Sequence, residues 1–197
     1  MYKLGNIIFI YFCVILLCSV IPYDPQYEYQ INLPADGSVK NLYVFQNPVN
    51  PERLLVPPRR NVPEQYRELF AAVSESVGIP IGVLESIADV ESNFRPWAKS
   101  PMRKDGHQDL GMFQFSTKYL DWYSEKYNSG ILFDPMDINV AIVVAASHLK
   151  FLYEFYDHWP TVCLAYNAGM GAVNRDRIPD SSFNYLAKIY RSELCDR

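Results

Sequence analysis

Pro80-Ile-Gly-Val-Leu-Glu-Ser-Ile-Ala-Asp-Val-Glu-Ser92 is the stretch on which the reading of this chain turns. Its spacing predicts a helix with Pro80 near the first turn, where a missing N–H leaves no intrahelical bond unmade. Leu84, Ile87 and Ala88 follow the i, i+3, i+4 rule, and the i+7 position of the same apolar stripe is Glu91. Glu85 and Asp89 fall off the stripe and read as solvated charges. A carboxyl group on a buried face is partly desolvated, which disfavours its charged form and raises its pKa. That property suits a general acid working near neutral pH. Taken alone, the stretch also allows a glutamate at a helix end that swings out into water.

Around this helix the pattern is helical from Pro63 onward. Tyr66, Leu69, Phe70 and Val73 make one apolar stripe, and Gly78 is a suitable stop. Residues 93–108 form a polar loop carrying Pro96, Pro101 and Gly106, with room for a short hairpin. Ser116 or Thr117 caps a helix through Tyr127, which Asn128-Ser-Gly130 stops. Asp137 caps another, and its first half, Ile138 to Ala146, holds no charged residue, so it is expected at the centre. Pro160 starts a short helix ending at Gly169, and Ser181 or Ser182 opens the last one. No βαβ pattern for a nucleotide fold is present. The expectation is an all-α domain, α+β at most through a short hairpin in the loop.

Three short motifs in this frame resemble the signatures of the soluble lytic transglycosylase (SLT) domain, a lysozyme-like fold that cleaves peptidoglycan. They are Glu91-Ser92, Gly111-Met-Phe-Gln114 and Ala165-Tyr-Asn-Ala-Gly169. Ser100 stands where that family has a substrate-contacting serine, and Tyr185 where it has an active-site tyrosine. The resemblance covers roughly Glu64 to Arg191. It implies that Glu91 first protonates the glycosidic oxygen of the MurNAc-GlcNAc bond, then deprotonates the muramyl C6 hydroxyl as a base. The product is a 1,6-anhydro-MurNAc end, formed without water. Ser92 and Ser100 would hydrogen-bond near the reacting centre. Gln114 would donate to the sugar or hold the loop, with Met112 and Phe113 as an apolar wall. The Met-Phe order departs from the family's usual Leu-Met. Tyr166 and Asn167 would contact substrate, and Tyr185 would tune Glu91.

Asp105 and Asp109 complicate this picture. Goose-type lysozymes share the fold and carry acidic residues in the corresponding loop, so a hydrolytic muramidase using Glu91 with Asp105 is the rival enzyme. Ser116 stands where the second lysozyme carboxylate would fall, and the two aspartates read as loop-folding residues. A non-catalytic glycan-binding protein is the remaining alternative.

Composition narrows the partners. Net charge is −4, and no basic cluster is larger than Arg59-Arg60 or Arg103-Lys104, which counts against nucleic acid. An uncharged sugar polymer makes no such demand. Hydrophobic residues make up 49% of the chain, ample for a core. No His/Cys cluster has metal-ligand spacing, and no cofactor is expected; His107, His148 and His158 are scattered, and His148 reads as a core or surface histidine. Lys3 followed by an apolar run from Ile7 to Ile21 makes residues 1–22 a signal peptide or membrane anchor, with lipidation at Cys18 a third reading. Each of these puts the remainder outside the cytoplasm, in the periplasm or cell envelope, near secretion or envelope machinery. Residues 23–63, rich in Pro and Tyr, read as a linker, with Asn41 to Phe45 the only strand candidate, and 64–197 as the catalytic domain. Beyond the leader, Cys163 and Cys195 either pair or leave Cys163 a packed thiol.

Overall fold

The computed structural model describes residues 56–191. The leader, the linker up to residue 55 with its strand candidate, and Cys195 lie outside these residues. Seven α-helices and one two-stranded hairpin make up the described part. They run α1 (Glu64–Val77), α2 (Ile81–Ser92), β1 (Asp109–Leu110), β2 (Phe115–Ser116), α3 (Leu120–Tyr127), α4 (Ile138–Tyr156), α5 (Trp159–Ala168), α6 (Met170–Asn174) and α7 (Asp180–Tyr190).

The breaks between elements follow local chemistry. Gly78 closes α1 in the left-handed region at φ 73°, its N–H donating to the Ser74 carbonyl. Asn93 does the same for α2 at φ 53°. The Asp137 side chain accepts from the Asn139 N–H at 3.0 Å, capping α4 as the sequence predicts. The helix expected from Ser116 or Thr117 begins as one 3₁₀ turn over Thr117–Tyr119 before α3. The short α6 has no counterpart in the sequence reading, and α7 opens at Asp180 rather than at a serine.

α4 is the central element, packed against α1, α3 and α5. Its covered side includes Ala141, Ile142, Val144, Ala145 and Leu149, although Val143 stays partly open and Asn139 exposed. α2 lies between α1 and α7, so the helix carrying Glu91 is braced on two sides. A chain of aromatic contacts fastens the hairpin to this body: Phe70 to Phe113 at 6.2 Å, Phe113 to Phe115 at 6.4 Å, and Phe115 to Phe133 at 5.2 Å between ring centroids. Such pairs add roughly 0.5–1.5 kcal/mol each beyond the area they bury.

Two expectations change here. Residues 56–63, read as the end of the linker, form a strap packed on α2 and α7. Pro57 takes the space that Gly82 leaves open, since a Cβ on Gly82 would sit 2.2 Å from the Pro57 carbonyl oxygen. Ser86 Oγ donates to the Pro58 carbonyl at 3.0 Å. Arg60 is nearly buried, and its guanidinium donates to the Lys188 and Ile189 carbonyls at 2.8 and 2.7 Å and to the Arg191 carbonyl. These are the carbonyls that a helix C-terminus leaves without intrahelical partners.

The second change concerns Glu85, expected in solvent and in fact only 1% exposed. Its Oε2 accepts from Arg59 Nε at 2.8 Å and from the Arg60 backbone N–H at 2.9 Å. The strap covers the face of α2 that the apolar stripe does not, and hydrogen bonds replace the water lost there. Asp89 is less deeply placed, with Arg60 Nε 3.4 Å away.

Candidate active site

Glu91 sits in the last turn of α2, at the floor of a cleft of about 650 Å³. The hairpin contributes Asp109, Gln114, Phe115 and Ser116, and Arg103 from the loop before it. α3 and its leading turn add Tyr119, Trp122 and Tyr123, α4 adds His148, and the α5–α6 junction supplies Ala165 to Gly171. One short loop and four helices therefore meet at one carboxyl group.

The electrostatics favour a protonated Glu91. Burial is the main cause and raises its pKa to about 7; the Tyr185 hydroxyl lowers it, and the negative charge of Asp109 raises it. Tyr185 is itself buried, and its hydroxyl makes no bond of full hydrogen-bond geometry although it faces the Glu91 carboxyl. Tyr123 and Tyr166 also feel the Glu91 charge; burial first, then Tyr119, Asp109 and last Glu91, pushes Tyr123 up to about 12. Phenols that stay neutral do not compete for the Glu91 proton.

The residues singled out in the sequence divide into two groups. Glu91, Gln114, Tyr166 and Asn167 line the cleft. Gln114 holds the loop: its Nε2 donates to the Gly111 carbonyl at 2.8 Å and to that of Ala98 at 3.4 Å. The Tyr166 hydroxyl donates to the Phe113 carbonyl at 2.9 Å, tying α5 to the hairpin. Ser92, Ser100 and Met112 do not line it. Ser92 is buried, its Oγ donating to the Met112 carbonyl at 2.9 Å and accepting from the Arg95 N–H at 3.0 Å. Ser100 Oγ accepts from the Asp109 N–H at 2.8 Å, which sets where Asp109 stands. Met112 and Phe113 are both fully buried, so the apolar wall is Phe115 instead.

Gly111 is required twice over. Its φ is 79°, and a Cβ there would lie 1.9 Å from the Pro135 carbonyl oxygen. The turn into the Gly-Met-Phe-Gln motif therefore rests directly on the loop before α4.

The two loop aspartates part company. Asp105 is exposed, and its Oδ1 accepts from the His107 N–H at 3.3 Å, a turn-forming role. Asp109 lines the cleft, pairs with Arg103 and acts on the Glu91 charge. Its position at the base of the hairpin depends on strand register, which the sequence reading did not use.

His148 is the other unexpected member. It is 7% exposed, yet reaches the cleft, with its Nδ1 2.9 Å from the Tyr127 hydroxyl. Burial, then the nearby Lys126, lowers its pKa to about 4, so the ring is neutral at working pH. Its one sequence signal was its position 11 residues beyond the Asp137 cap in an apolar run, which does not identify a neighbour. Cys163 has no disulfide partner among the described residues, and burial pushes its thiol up to about 12. No cluster of His, Cys, Asp or Glu among the described residues has the makings of a metal site.

The model of the transglycosylase SLT domain family matches residues 68–186. The peptidoglycan transglycosylase gp16 of Escherichia phage T7 is 31% identical over 131 residues, which is 66% of this chain and 10% of that protein. The chain thus spans about a tenth of the length of that relative. An inactive mutant of the lytic transglycosylase Slt from Pseudomonas aeruginosa superposes with a TM-score of 0.54 at 18% identity, over 64% of this chain and 23% of that one. The 70 kDa soluble lytic transglycosylase SLT70 of Escherichia coli gives 0.54 at 22% identity, over 63% and 22%. At these identities the two structures speak for a common fold, the lysozyme-like arrangement expected from the motifs.

Proposed function

The chain belongs to the transglycosylase SLT domain family, and from that premise we propose that it is a lytic transglycosylase of peptidoglycan with Glu91 as its single acid and base. The observation that carries this reading is one buried carboxyl on the cleft floor, with burial raising its pKa to about 7.

The steps follow from that proton. Glu91 gives it to the glycosidic oxygen as the bond from muramyl C1 breaks, and the GlcNAc leaves with a free 4-hydroxyl. The 2-acetamido oxygen of the same muramyl sugar closes on C1 and holds the positive charge there. The C6 hydroxyl then attacks C1, the acetamido oxygen departs, and Glu91, now a carboxylate, takes the hydroxyl proton. The proton count closes, no water is consumed, and an anhydro end results. A residue that has just lost its proton is the base the second step requires. Hydrolysis of a glycoside generally recruits a second carboxyl group. Asp105 stands away from the cleft, so a hydrolytic version of this site would have to use Asp109.

The test is mass spectrometry of the fragments released from purified peptidoglycan by the wild-type chain and by Glu91→Gln. Anhydromuramyl ends that vanish in the variant are the expected result. Reducing muramyl ends would make the protein a hydrolase, and binding to sacculi without release would make it a glycan-binding protein.

We propose also that the apolar run from Ile7 to Ile21 carries the chain out of the cytoplasm to its substrate. Fractionation of cells expressing the full chain should find it outside the cytoplasm; a purely cytoplasmic pool would overturn this.

A further inference from the structure

Residues 93–104 hold four cations, Arg95, Lys99, Arg103 and Lys104, and no acid, in a chain whose net charge is −4. All four are exposed, and so are Trp97 and Met102, at 68% and 61%. One exposed apolar side chain is ordinary, but an open indole and an open thioether set among cations make a surface that is both basic and apolar.

The segment is an arm held by its own backbone. Phe94, buried at its base, meets the Phe70 ring edge to face at 6.0 Å. The Ala98 N–H donates to the Arg95 carbonyl at 3.2 Å, a turn that includes Trp97. Lys99 then bridges to Leu110, the Ser100 N–H donates to the Asp109 carbonyl at 2.9 Å, and the Arg103 N–H donates to the His107 carbonyl at 2.7 Å. Residues 101–106, at the far end, are all exposed. A partner that binds here does not have to order the chain first, which lowers the entropy cost of binding.

Two of the cations are engaged within the domain. Arg95 Nε donates to the Ser92 carbonyl at 2.7 Å, and Arg103 pairs with Asp109. Lys99 and Lys104 have no ion-pair partner among the described residues. Trp97, Lys99, Met102 and Lys104 do not line the cleft around Glu91, so the substrate site leaves them unused.

Their chemistry selects the partner. A small anion is held by donors that converge in a pocket, whereas these groups stand on an exposed arm. A bilayer with anionic headgroups suits them: indole rings settle at the headgroup level, and lysine stems lie along apolar surface while their ammonium groups reach the phosphates. The same surface repels the net negative remainder of the chain, so the arm is the part that turns toward it. We infer that the arm docks on an anionic phospholipid surface through Trp97, Lys99, Met102 and Lys104. Arg103 belongs both to the arm and to the wall of the cleft, so docking holds the cleft beside the bilayer. This contact is independent of which glycan ends the site produces.

The experiment mixes the full chain with vesicles of phosphatidylcholine, alone or with an equal part of phosphatidylglycerol, whose brominated acyl chains quench tryptophan on contact. Trp122 and Trp159 are the other two tryptophans, so the difference between wild type and Trp97→Phe isolates the signal of Trp97. That signal should be quenched in the anionic vesicles and little changed in the neutral ones. Lys99→Gln with Lys104→Gln should raise the lipid concentration for half quenching by roughly 25-fold, about fivefold for each cation near an anionic surface. Lys99→Arg with Lys104→Arg should restore it, and the melting temperature should stay that of wild type throughout. Quenching that is identical in wild type and Trp97→Phe would overturn the docking, because the apolar run from Ile7 to Ile21 would then account for all vesicle contact. Equal quenching of Trp97 in neutral and anionic vesicles would overturn it too, as would a glutamine pair that behaves as wild type. Trp97 emission that responds to purified peptidoglycan and not to vesicles would assign the arm to the wall instead.

Discussion

At the scale of single residues, the chemistry rests on how Glu91 is charged. Its pKa of about 7 comes from burial, with Asp109 adding to the rise and Tyr185 opposing it; the phenols of Tyr123 and Tyr166 are the other titratable groups around it. An acid that must begin protonated should give activity that falls as pH rises through about 7. Asp109→Asn removes a negative charge and should move that falling limb to lower pH. Arg103→Gln exposes the Asp109 charge and should move it the other way. The kcat profile against pH for the two variants reads both signs, and limbs that coincide with wild type would separate Asp109 from Glu91. The position of Glu91 was legible because helical periodicity alone puts i+7 on the face of Leu84. The role of Asp109 was not, because it depends on a two-residue strand pairing, Asp109 opposite Ser116, that carries no periodic signal.

At the scale of elements, the strap over residues 56–63 joins the two helices that carry Glu91 and Tyr185. Arg60 reaches the C-terminal carbonyls of α7 while its backbone N–H and its neighbour Arg59 hold Glu85 on α2. A chain beginning at Pro63 loses the cover over Glu85 and Gly82 and the Arg60 donors to the last carbonyls of α7, and should melt at a lower temperature. A chain beginning at Val56, which keeps the strap, is the reference for it. Thermal unfolding of the two truncations tests this, and equal melting temperatures would reduce the strap to a surface contact. Glu85 was misread because a helix pattern describes one face at a time. A strap that covers a second face is set by packing between residues 25 or more positions apart. The Gly-Met-Phe-Gln segment, by contrast, was readable only as a motif of the family it resembles. Only the fold shows that the Pro135 carbonyl forbids a side chain at Gly111.

At the scale of the whole molecule, two buried groups oppose each other in acid. Glu91 has its pKa raised from 4.5 to about 7, so the stability it contributes is complete below 4.5 and is lost as pH rises through 7. His148 has its pKa lowered from 6.5 to about 4, so its contribution is complete above 6.5 and is lost as pH falls through 4. Between about 4.5 and 6.5 the two slopes have opposite sign and nearly cancel. Glu91→Gln should unmask His148: stability of that variant should drop by about 1.4 kcal/mol for each pH step downward in this window. Denaturant unfolding at several pH values measures it, and parallel profiles for wild type and variant would refute the balance. What the sequence determined by itself is local: where helices start and stop, that the domain is helical with one loop, and that one glutamate lies on an apolar face. Those features depend on dihedral preferences and on a 3.6-residue repeat, both expressed within a few residues. The tertiary structure alone decided what surrounds that glutamate. Tyr123, His148, Tyr166 and Tyr185 come from four helices, and Arg60 meets Ile189 across 129 positions, because burial and hydrogen-bond completion are satisfied by whichever groups the packed core brings together.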